Sequence, residues 1–299
     1  TLTPASYDKS SQLAVLTKYL WYDVYKKIAG EHEVFLKRYS PRIVHVIGSR
    51  NLNTSSGTET LGVTEGGTKI TLYRTNYLDP NDIANMNEYF FETMHHEFGH
   101  ILDQTKLHPT MFNLLSNGRY NAAGWNDVPD SVAASQGFVS PYASASYTED
   151  WVETLACYVT YNADRWASLL NTAHYDWEEI DYQVEDYQRY YPRAYREYQL
   201  GYSMQTQNYD TIGYLRQTAN YEYKLVRKVV PRNANGFVAL DADGNYEVSV
   251  DADNIDGREV ILQKLELVRT WLKDNWGVDL DELRREVQSR QYLTDAEGN

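Results

Sequence analysis

Met94-His95-His96-Glu97-Phe98-Gly99-His100 is the stretch on which the reading of this chain turns. Residues 96–100 form H-E-x-x-H. On a helix, residues four apart share a face, so His96 and His100 can aim two imidazoles at one metal ion. Glu97 lies about 100° round the helix, from ~3.6 residues per turn. It flanks such an ion rather than ligating it, and can take a proton from a water held there. The bland alternative is two exposed histidines beside a solvated Glu. The flanking pattern argues against it. Asp79 to Gln104 reads as one long helix, with Asp79 as N-cap, Pro80 at the first helical position and Asp82 at the acid position of a capping box. Phe90, Met94, Phe98, Ile101 and Leu102 supply an apolar stripe at spacings of three and four. His96 and His100 border that stripe.

A catalytic zinc takes three protein ligands and keeps one position open, so one more His, Asp or Glu is needed. The metzincin continuation is absent. Lys106 stands six residues after His100, and His108 comes too late. The segment Tyr147–Ala156 offers Glu149 and Glu153, four apart, and Trp151, Leu155, Tyr158 and Val159 give it an apolar face. A second helix can thus present carboxylates to the first. The competing reading is a surface helix with ordinary acidic residues.

The two motifs together resemble the zincin metallopeptidases in which HEFGH is followed some fifty residues later by E-x-x-x-E; the anthrax lethal factor catalytic domain is similar in pattern. The resemblance implies that Glu149 is the third zinc ligand. It also implies that Tyr142, seven residues before Glu149, assists catalysis by facing the substrate oxygen. Glu97 is then the general base. Glu153 is expected to orient His100 or Glu149 from behind, and Asp103 is a weaker candidate for such a role. Zincins run an extended strand along the cleft edge, and the resemblance gives that place to Lys69–Tyr73.

A closer resemblance covers nearly the whole chain. Tyr89–Lys106, Gly137–Ala143, Thr148–Glu153 and the run Gln263–Arg285 look like the zinc-binding metallopeptidases of Bacteroidetes, lipoproteins known as substrate-import-associated zinc metallohydrolases. Their genes sit beside an outer-membrane nutrient importer and its surface binding lipoprotein. The resemblance implies a polypeptide or glycoprotein substrate, those two proteins as partners, and attachment to the outer membrane at the cell surface or in the periplasm. It also implies a signal segment and a lipidated Cys upstream of Thr1, so the sequence reads as a trimmed or mature chain. The reading from another class is a peptide- or glycan-binding lipoprotein with a vestigial zinc site. The intact Glu97 counts against it.

Composition narrows the partners. With 28 Lys+Arg against 42 Asp+Glu the net charge is −14, which disfavours nucleic acid and anionic membrane surfaces. No run of eighteen apolar residues is present, so no transmembrane helix is expected. Cys157 is alone, which excludes an internal disulfide, and it reads as a small core residue.

The remaining pattern is α+β: a mostly helical zincin-like chain with a small mixed sheet beside the active-site helix. Ser11–Arg38 is helical in spacing, with a break at Gly30. Arg42–Ile47 is a strand. Thr60–Val63 and Lys69–Tyr73 flank a hairpin turn at Glu65-Gly66-Gly67. Ser131–Gln136 is a short helix. Helices are also expected over Glu149–Leu170, Trp177–Gln199, Thr211–Arg227, Glu259–Asn275 and Asp279–Arg290. Phe237–Leu240 and Tyr246–Val250 read as short strands. The Asp-rich turns at 241–245 and 251–257 lack a full calcium loop. We expect a single domain over 1–299, with a core of about 11–200 and a C-terminal extension of about 201–299 packed on it.

Overall fold

The computed structural model describes residues 2–29, 33–55, 57–181, 200–203, 208–211, 213–218, 222–229, 231, 234, 239, 242–243, 248–250 and 254–291. In chain order, α1 (Tyr7–Thr17) runs through a wide π turn, Lys18–Tyr22, into α2 (Asp23–Ile28), and α3 (Glu33–Tyr39) follows. Strands β1 (Ile43–Val46), β2 (Asn51–Leu52), β3 (Glu59–Thr60), β4 (Gly62–Glu65) and β5 (Lys69–Leu72) come next. A short α4 (Ile83–Met86) continues through a second π turn, Asn87–Phe91, into α5 (Glu92–Thr105). Then come α6 (Thr110–Leu115), α7 (Asp130–Ser135), α8 (Tyr147–Thr160) and α9 (Ala163–Ala173). Strands β6 (Trp177–Asp181), β7 (Leu200–Ser203), β8 (Asn208–Thr211), β9 (Gly213–Gln217) and β10 (Tyr223–Lys228) precede α10 (Gly257–Trp276) and α11 (Leu280–Gln291). The class is α+β. The chain forms two compact units that interleave in sequence. One comprises residues 1–117, 146–166 and 263–299, the other 118–145 and 167–262. Residue 200 falls inside the second.

In the first unit the apolar stripe of the H-E-x-x-H helix does what its spacing predicts. Met94, Phe98, Ile101 and Leu102 are buried, together with Phe90 and Phe91 from the π turn. Phe98 meets Trp21 edge-on at 4.9 Å, Tyr25 at 5.0 Å and Phe35 at 5.9 Å. On another flank α5 packs against α8. A Cβ added at Gly99 would come 2.9 Å from Val152 Cγ1, closer than side chains tolerate. Glycine here lets the two helices touch backbone to side chain. Gly99→Ala should therefore push them apart and lower stability by about 1–3 kcal/mol, the usual cost of overpacking. Thermal unfolding of the purified variant checks this. A melting temperature equal to wild type would show that the close approach carries no stability.

The helix begins later than its cap residues suggest. Asp79 makes a turn instead, accepting the Asn81 N–H on its side chain (3.0 Å) and the Asp82 N–H on its carbonyl (3.2 Å). The N-cap is Asp82, whose Oδ1 accepts the Asn85 N–H at 3.0 Å. The Pro80 region is thus used up in the approach.

The mixed sheet has the order β1-β5-β4, with β1 and β5 parallel and β4 and β5 antiparallel. Gly66 and Gly67 close the β4–β5 hairpin at φ 58° and 64°, a pair of positive values that glycine adopts freely. The order corrects one expectation. Lys69–Leu72 is the central strand, with ladder partners on both sides, and cannot be the cleft edge. The edge strand beside α5 is β4. Thr64 Oγ1 donates to the Glu97 carbonyl at 3.2 Å. A side chain at Gly62 would collide with Thr93 and lie 3.5 Å from Glu97 Cγ.

The first unit is closed by the C-terminal helices. Trp151 of α8 lies edge-on to Phe112 (4.9 Å) and Trp271 (5.0 Å) and is stacked by His108 at 4.9 Å. Lys264 and Asp150 form an ion pair at 2.6 Å with both side chains wholly buried. Gln288 and Arg284 donate to the Tyr161 carbonyl at 2.7 and 2.8 Å, where α8 ends. The expected helix 149–170 is therefore two helices, broken after Thr160.

The second unit departs most from the sequence reading. Trp177–Asp181 is a strand, not the start of a helix, and residues 182–199 lie outside those described. The expected helix over 211–227 is likewise replaced, by β9 and β10. These join β6 in an antiparallel sheet of order β6-β10-β9. Cross-strand charge explains why helix-forming residues stay extended. Glu178 sits opposite Arg227 and binds it at 2.8 Å, while Glu179 binds Arg216 at 2.7 Å. Tertiary pairing overrides helix propensity there. A hairpin of β7 and β8 completes the described strands of this unit. Of the expected strands, only 239 and 248–250 are described, and none of these is in a strand; the rest lies outside the described residues, as do parts of both Asp-rich turns. Among the described residues no helix is long and apolar enough to cross a membrane.

Candidate metal centre

Helices α5 and α8 run antiparallel. Glu92 meets Cys157 and Thr160, His96 meets Glu153, Gly99 meets Val152, and His100 meets Glu149. As α5 advances, α8 recedes. This brings the two motifs of the sequence into one place. His96 Nε2 lies 3.2 Å from His100 Nε2. Glu149 Oε2 lies 3.1 Å from the first and 3.3 Å from the second.

These three atoms form a nearly equilateral triangle that suits an ion. Zinc bonds of ~2.0–2.1 Å at tetrahedral angles place ligand atoms roughly 3.3–3.4 Å apart. The hydrogen-bond inventory agrees. Glu149 Oε2 is buried and faces only the two imidazole nitrogens, neither in good hydrogen-bond geometry. Two ring nitrogens facing each other and a bare carboxylate oxygen make a poor mutual network. They make a good donor set for a shared cation. Among the described residues, His96, His100 and Glu149 form one of two clusters with metal-ligand spacing.

The electrostatics follow from this crowding. Burial favours the neutral form of Glu149, but the two imidazoles outweigh it and hold its carboxyl well below the usual range. Burial also favours neutral His96, but contacts to Glu149 and Glu153 outweigh it and push the ring up to about 10. Protons and a metal ion would compete for the same ligand atoms there.

Glu153 accepts from or shares a proton with His96 Nδ1 at 2.7 Å. The expectation was that it would orient His100 or Glu149. The antiparallel packing explains the difference: one turn further along α8 faces one turn earlier on α5. The contact leaves His96 Nε2 facing His100 and Glu149, the arrangement a carboxylate behind a metal-bound imidazole would give. Asp103 also has another partner than expected. It accepts the His108 backbone N–H at 2.7 Å and contacts His108 Nδ1 at 2.9 Å. It anchors the chain after α5 and does not touch His100. His95, beside His96 in sequence, is fully buried and bonded to the Tyr25 hydroxyl at 3.0 Å. Burial lowers its ring to about 3, so it is a neutral core residue that pins α5 to α2.

Glu97 is buried at 7 % exposure, on the flank of α5 that β4 overlies. Tyr142 belongs to the second unit. It opens a short turn, Tyr142–Ala145, is 36 % exposed, and packs edge-on to Trp125 at 4.8 Å. Glu92 was not singled out in the sequence, although it stands one turn before His96 on the same helix face. That i−4 position was the available signal.

No curated protein matches. A crystal structure described as a "putative zinc-binding metallo-peptidase", from Bacteroides caccae, is similar to this chain at 28 % identity and a TM-score of 0.60. The similarity covers 97 % of this chain and 79 % of that one. A family carrying the same description matches residues 1–281. With HEFGH and E-x-x-x-E brought into a single donor triangle, and the match running through nearly all 299 residues, the chain belongs to this family of zinc-binding metallopeptidases.

Proposed function

We propose that His96, His100 and Glu149 hold the zinc ion and that the protein hydrolyses peptide bonds with Glu97 as general base. The observation that carries this is the triangle of ligand atoms at 3.1, 3.2 and 3.3 Å, with Glu149 Oε2 otherwise unpartnered. Zinc bound there supplies Lewis acidity, which polarises a carbonyl and makes water nucleophilic near neutral pH. Glu97 takes the proton of the attacking water and passes it to the leaving amine. Glu153 holds the His96 ring in one tautomer throughout. An extended polypeptide can add to the outer edge of β4, which would run the substrate backbone past Glu97.

Tyr142 is assigned the role of donating to the developing oxyanion. Its support is its exposure and its place seven residues before Glu149. A phenol with a reference pKa of ~10 stays a donor at neutral pH. Tyr142→Phe keeps the ring against Trp125 and deletes only the hydroxyl. It should lower kcat by ~10²–10³-fold, as loss of an oxyanion donor does elsewhere, while KM, zinc content and melting temperature stay near wild type. Unaltered kcat on a substrate the wild type cleaves would leave Tyr142 a scaffold residue.

The wider setting we propose is the outer membrane at the cell surface or periplasm, beside a nutrient importer and its binding lipoprotein, acting on polypeptides or glycoproteins. It draws on the sequence resemblance. The test of the catalytic reading is elemental analysis after zinc reconstitution, paired with a peptide-library digest with and without chelator. One zinc per chain and chelator-sensitive cleavage are expected. Zinc without cleavage would favour a binding module, and no stoichiometric zinc would remove the reading.

A further inference from the structure

The strand that flanks the metal helix carries an unequal distribution of charge. β3 and β4 follow one another beside α5: Gly62 abuts Thr93, and Thr64 Oγ1 donates to the Glu97 carbonyl. Upstream of Gly62, in β3, stands Glu59. Its Oε2 accepts from Arg50 Nε at 2.9 Å, from Arg50 Nη2 at 2.7 Å and from Arg74 Nη1 at 3.0 Å. The Arg74 guanidinium lies over the Tyr89 ring, 3.8 Å from its centre, in the π turn that leads into α5. The cluster is therefore on the side of the strand that the helix occupies. At the other end of β4 the charges balance, with Glu65 paired to Lys69 at 2.5 Å.

Arg74 is held in place by its backbone. It has φ 67°, left-handed backbone that a long side chain rarely adopts. Its N–H donates to the Ser49 carbonyl at 2.9 Å, and its own carbonyl accepts the Tyr77 N–H at 2.8 Å. The charge around Glu59 does not close. One carboxylate faces two guanidinium groups, and among the described residues no other carboxylate pairs with either arginine. The Arg74 side chain is 15 % exposed, that of Arg50 44 %. The surplus positive charge thus reaches solvent through Arg50.

We infer that Arg50, backed by Arg74, is a carboxylate-binding end of the substrate cleft, selecting polypeptides with an acidic side chain or a terminal carboxylate a few residues from the cleaved bond. The inference deepens the peptidase reading and rests on it, with the substrate extended along the β4 edge and on past β3. A guanidinium makes forked, charge-assisted hydrogen bonds to a carboxylate, so the free side of Arg50 suits that ligand. Strand geometry sets the spacing. From Thr64, beside Glu97, back to Glu59 is roughly 16–17 Å at ~3.3 Å per residue. Along the helix, Tyr89 precedes His96 by about 10 Å at ~1.5 Å per residue. An extended substrate covers these distances in roughly three to five residues. The chain's net charge of −14 gives acidic peptides no general attraction, so the selection acts through direct contact.

The experiment uses the full chain. Reconstituted with zinc, wild type should digest a random peptide library with Asp and Glu enriched about tenfold over Asn and Gln at one position three to five residues from the cut. If a chain terminus is the ligand, free-acid peptides should instead be cut about tenfold faster than their C-terminal amides. Tenfold is the low end of what hydrogen bonds between charged groups contribute. Arg50→Gln should abolish the preference by raising KM for acidic peptides, while kcat/KM for peptides without acids, zinc content and melting temperature stay at wild-type values. Equal use of acid and amide by wild type overturns the inference. So does a loss in Arg50→Gln that falls alike on all peptides, which would make the cluster a brace for the β2–β3 hairpin. A second arm, independent of cleavage, measures binding of dye-labelled tetraglutamate and tetraglutamine to the zinc-free protein. Tighter binding of tetraglutamate, lost in Arg50→Gln, supports the carboxylate site even where no peptide is cut, a result that would remove the peptidase reading alone. Equal binding of the two peptides, without cleavage, overturns both.

Discussion

Glu97→Gln is expected to cut turnover by ~10²–10⁴-fold, the range general-base catalysis supplies, with zinc content and fold unchanged. The change is isosteric and removes the group that accepts a proton. Glu97 sits between the two ligand histidines in sequence but points about a quarter turn away from them on the helix, so the donor triangle stays intact. The residue is buried on the flank that β4 covers, where Gly62 leaves room for the neighbouring Thr93. A Gln fits the same space. The measurement is kcat on any peptide the wild type cleaves, with elemental analysis and circular dichroism on the same preparations. Turnover equal to wild type would place the base elsewhere or expose a contaminating protease.

The second large effect separates the two histidines. His96→Ala and His100→Ala should each abolish stoichiometric zinc, since either leaves two protein ligands where a catalytic zinc uses three. Their stabilities should differ. Removing His96 takes away the ring nitrogen that Glu153 contacts at 2.7 Å, with both side chains about 9 % exposed. Breaking one side of a buried pair typically costs ~3–5 kcal/mol. His100 is more open, at 20 % side-chain exposure, and carries no such partner behind it. His100→Ala should therefore lose zinc with a much smaller drop in melting temperature, both proteins being compared in the zinc-free state. Glu149→Ala should weaken zinc. If Glu153→Ala abolishes binding and Glu149→Ala does not, the third ligand lies one turn along α8 from its assigned place.

The two motifs and their helices were legible in the sequence because each combines a fixed spacing with an apolar stripe. Met94, Phe98 and Leu102 on one helix and Trp151, Leu155 and Val159 on the other are all buried. What the sequence does not carry is the relative direction of the two helices. That Glu153 faces His96 rather than His100 or Glu149 follows from that direction. Asp79 looked like a cap because Asp-Pro commonly starts a helix, yet the same residues also make a turn, and Asp82 takes the cap. The second unit was misread for another reason. Trp177–Asp181 and Gly213–Lys228 hold residues that suit a helix, and their extended form depends on partners some forty residues apart, such as Glu179 with Arg216. The central place of β5 is likewise a matter of pairing, invisible in its own four residues.

The last helix, α11, has a bearing on how the molecule is made. Lys27 pairs with Glu286 at 2.5 Å, Arg290 donates to the Tyr19 carbonyl at 2.7 Å, and Gln291 reaches Asn87 at 3.0 Å. Together with the Lys264–Asp150 pair, these contacts span from about 114 to about 271 positions of sequence. Contacts so distant along the chain close late, because the entropy of a long loop is lost before they form. On the ribosome, the histidines are made nearly two hundred residues before the helix that buttresses them. The H-E-x-x-H sequence therefore exists in the growing chain well before α8 gains the helix that packs against it.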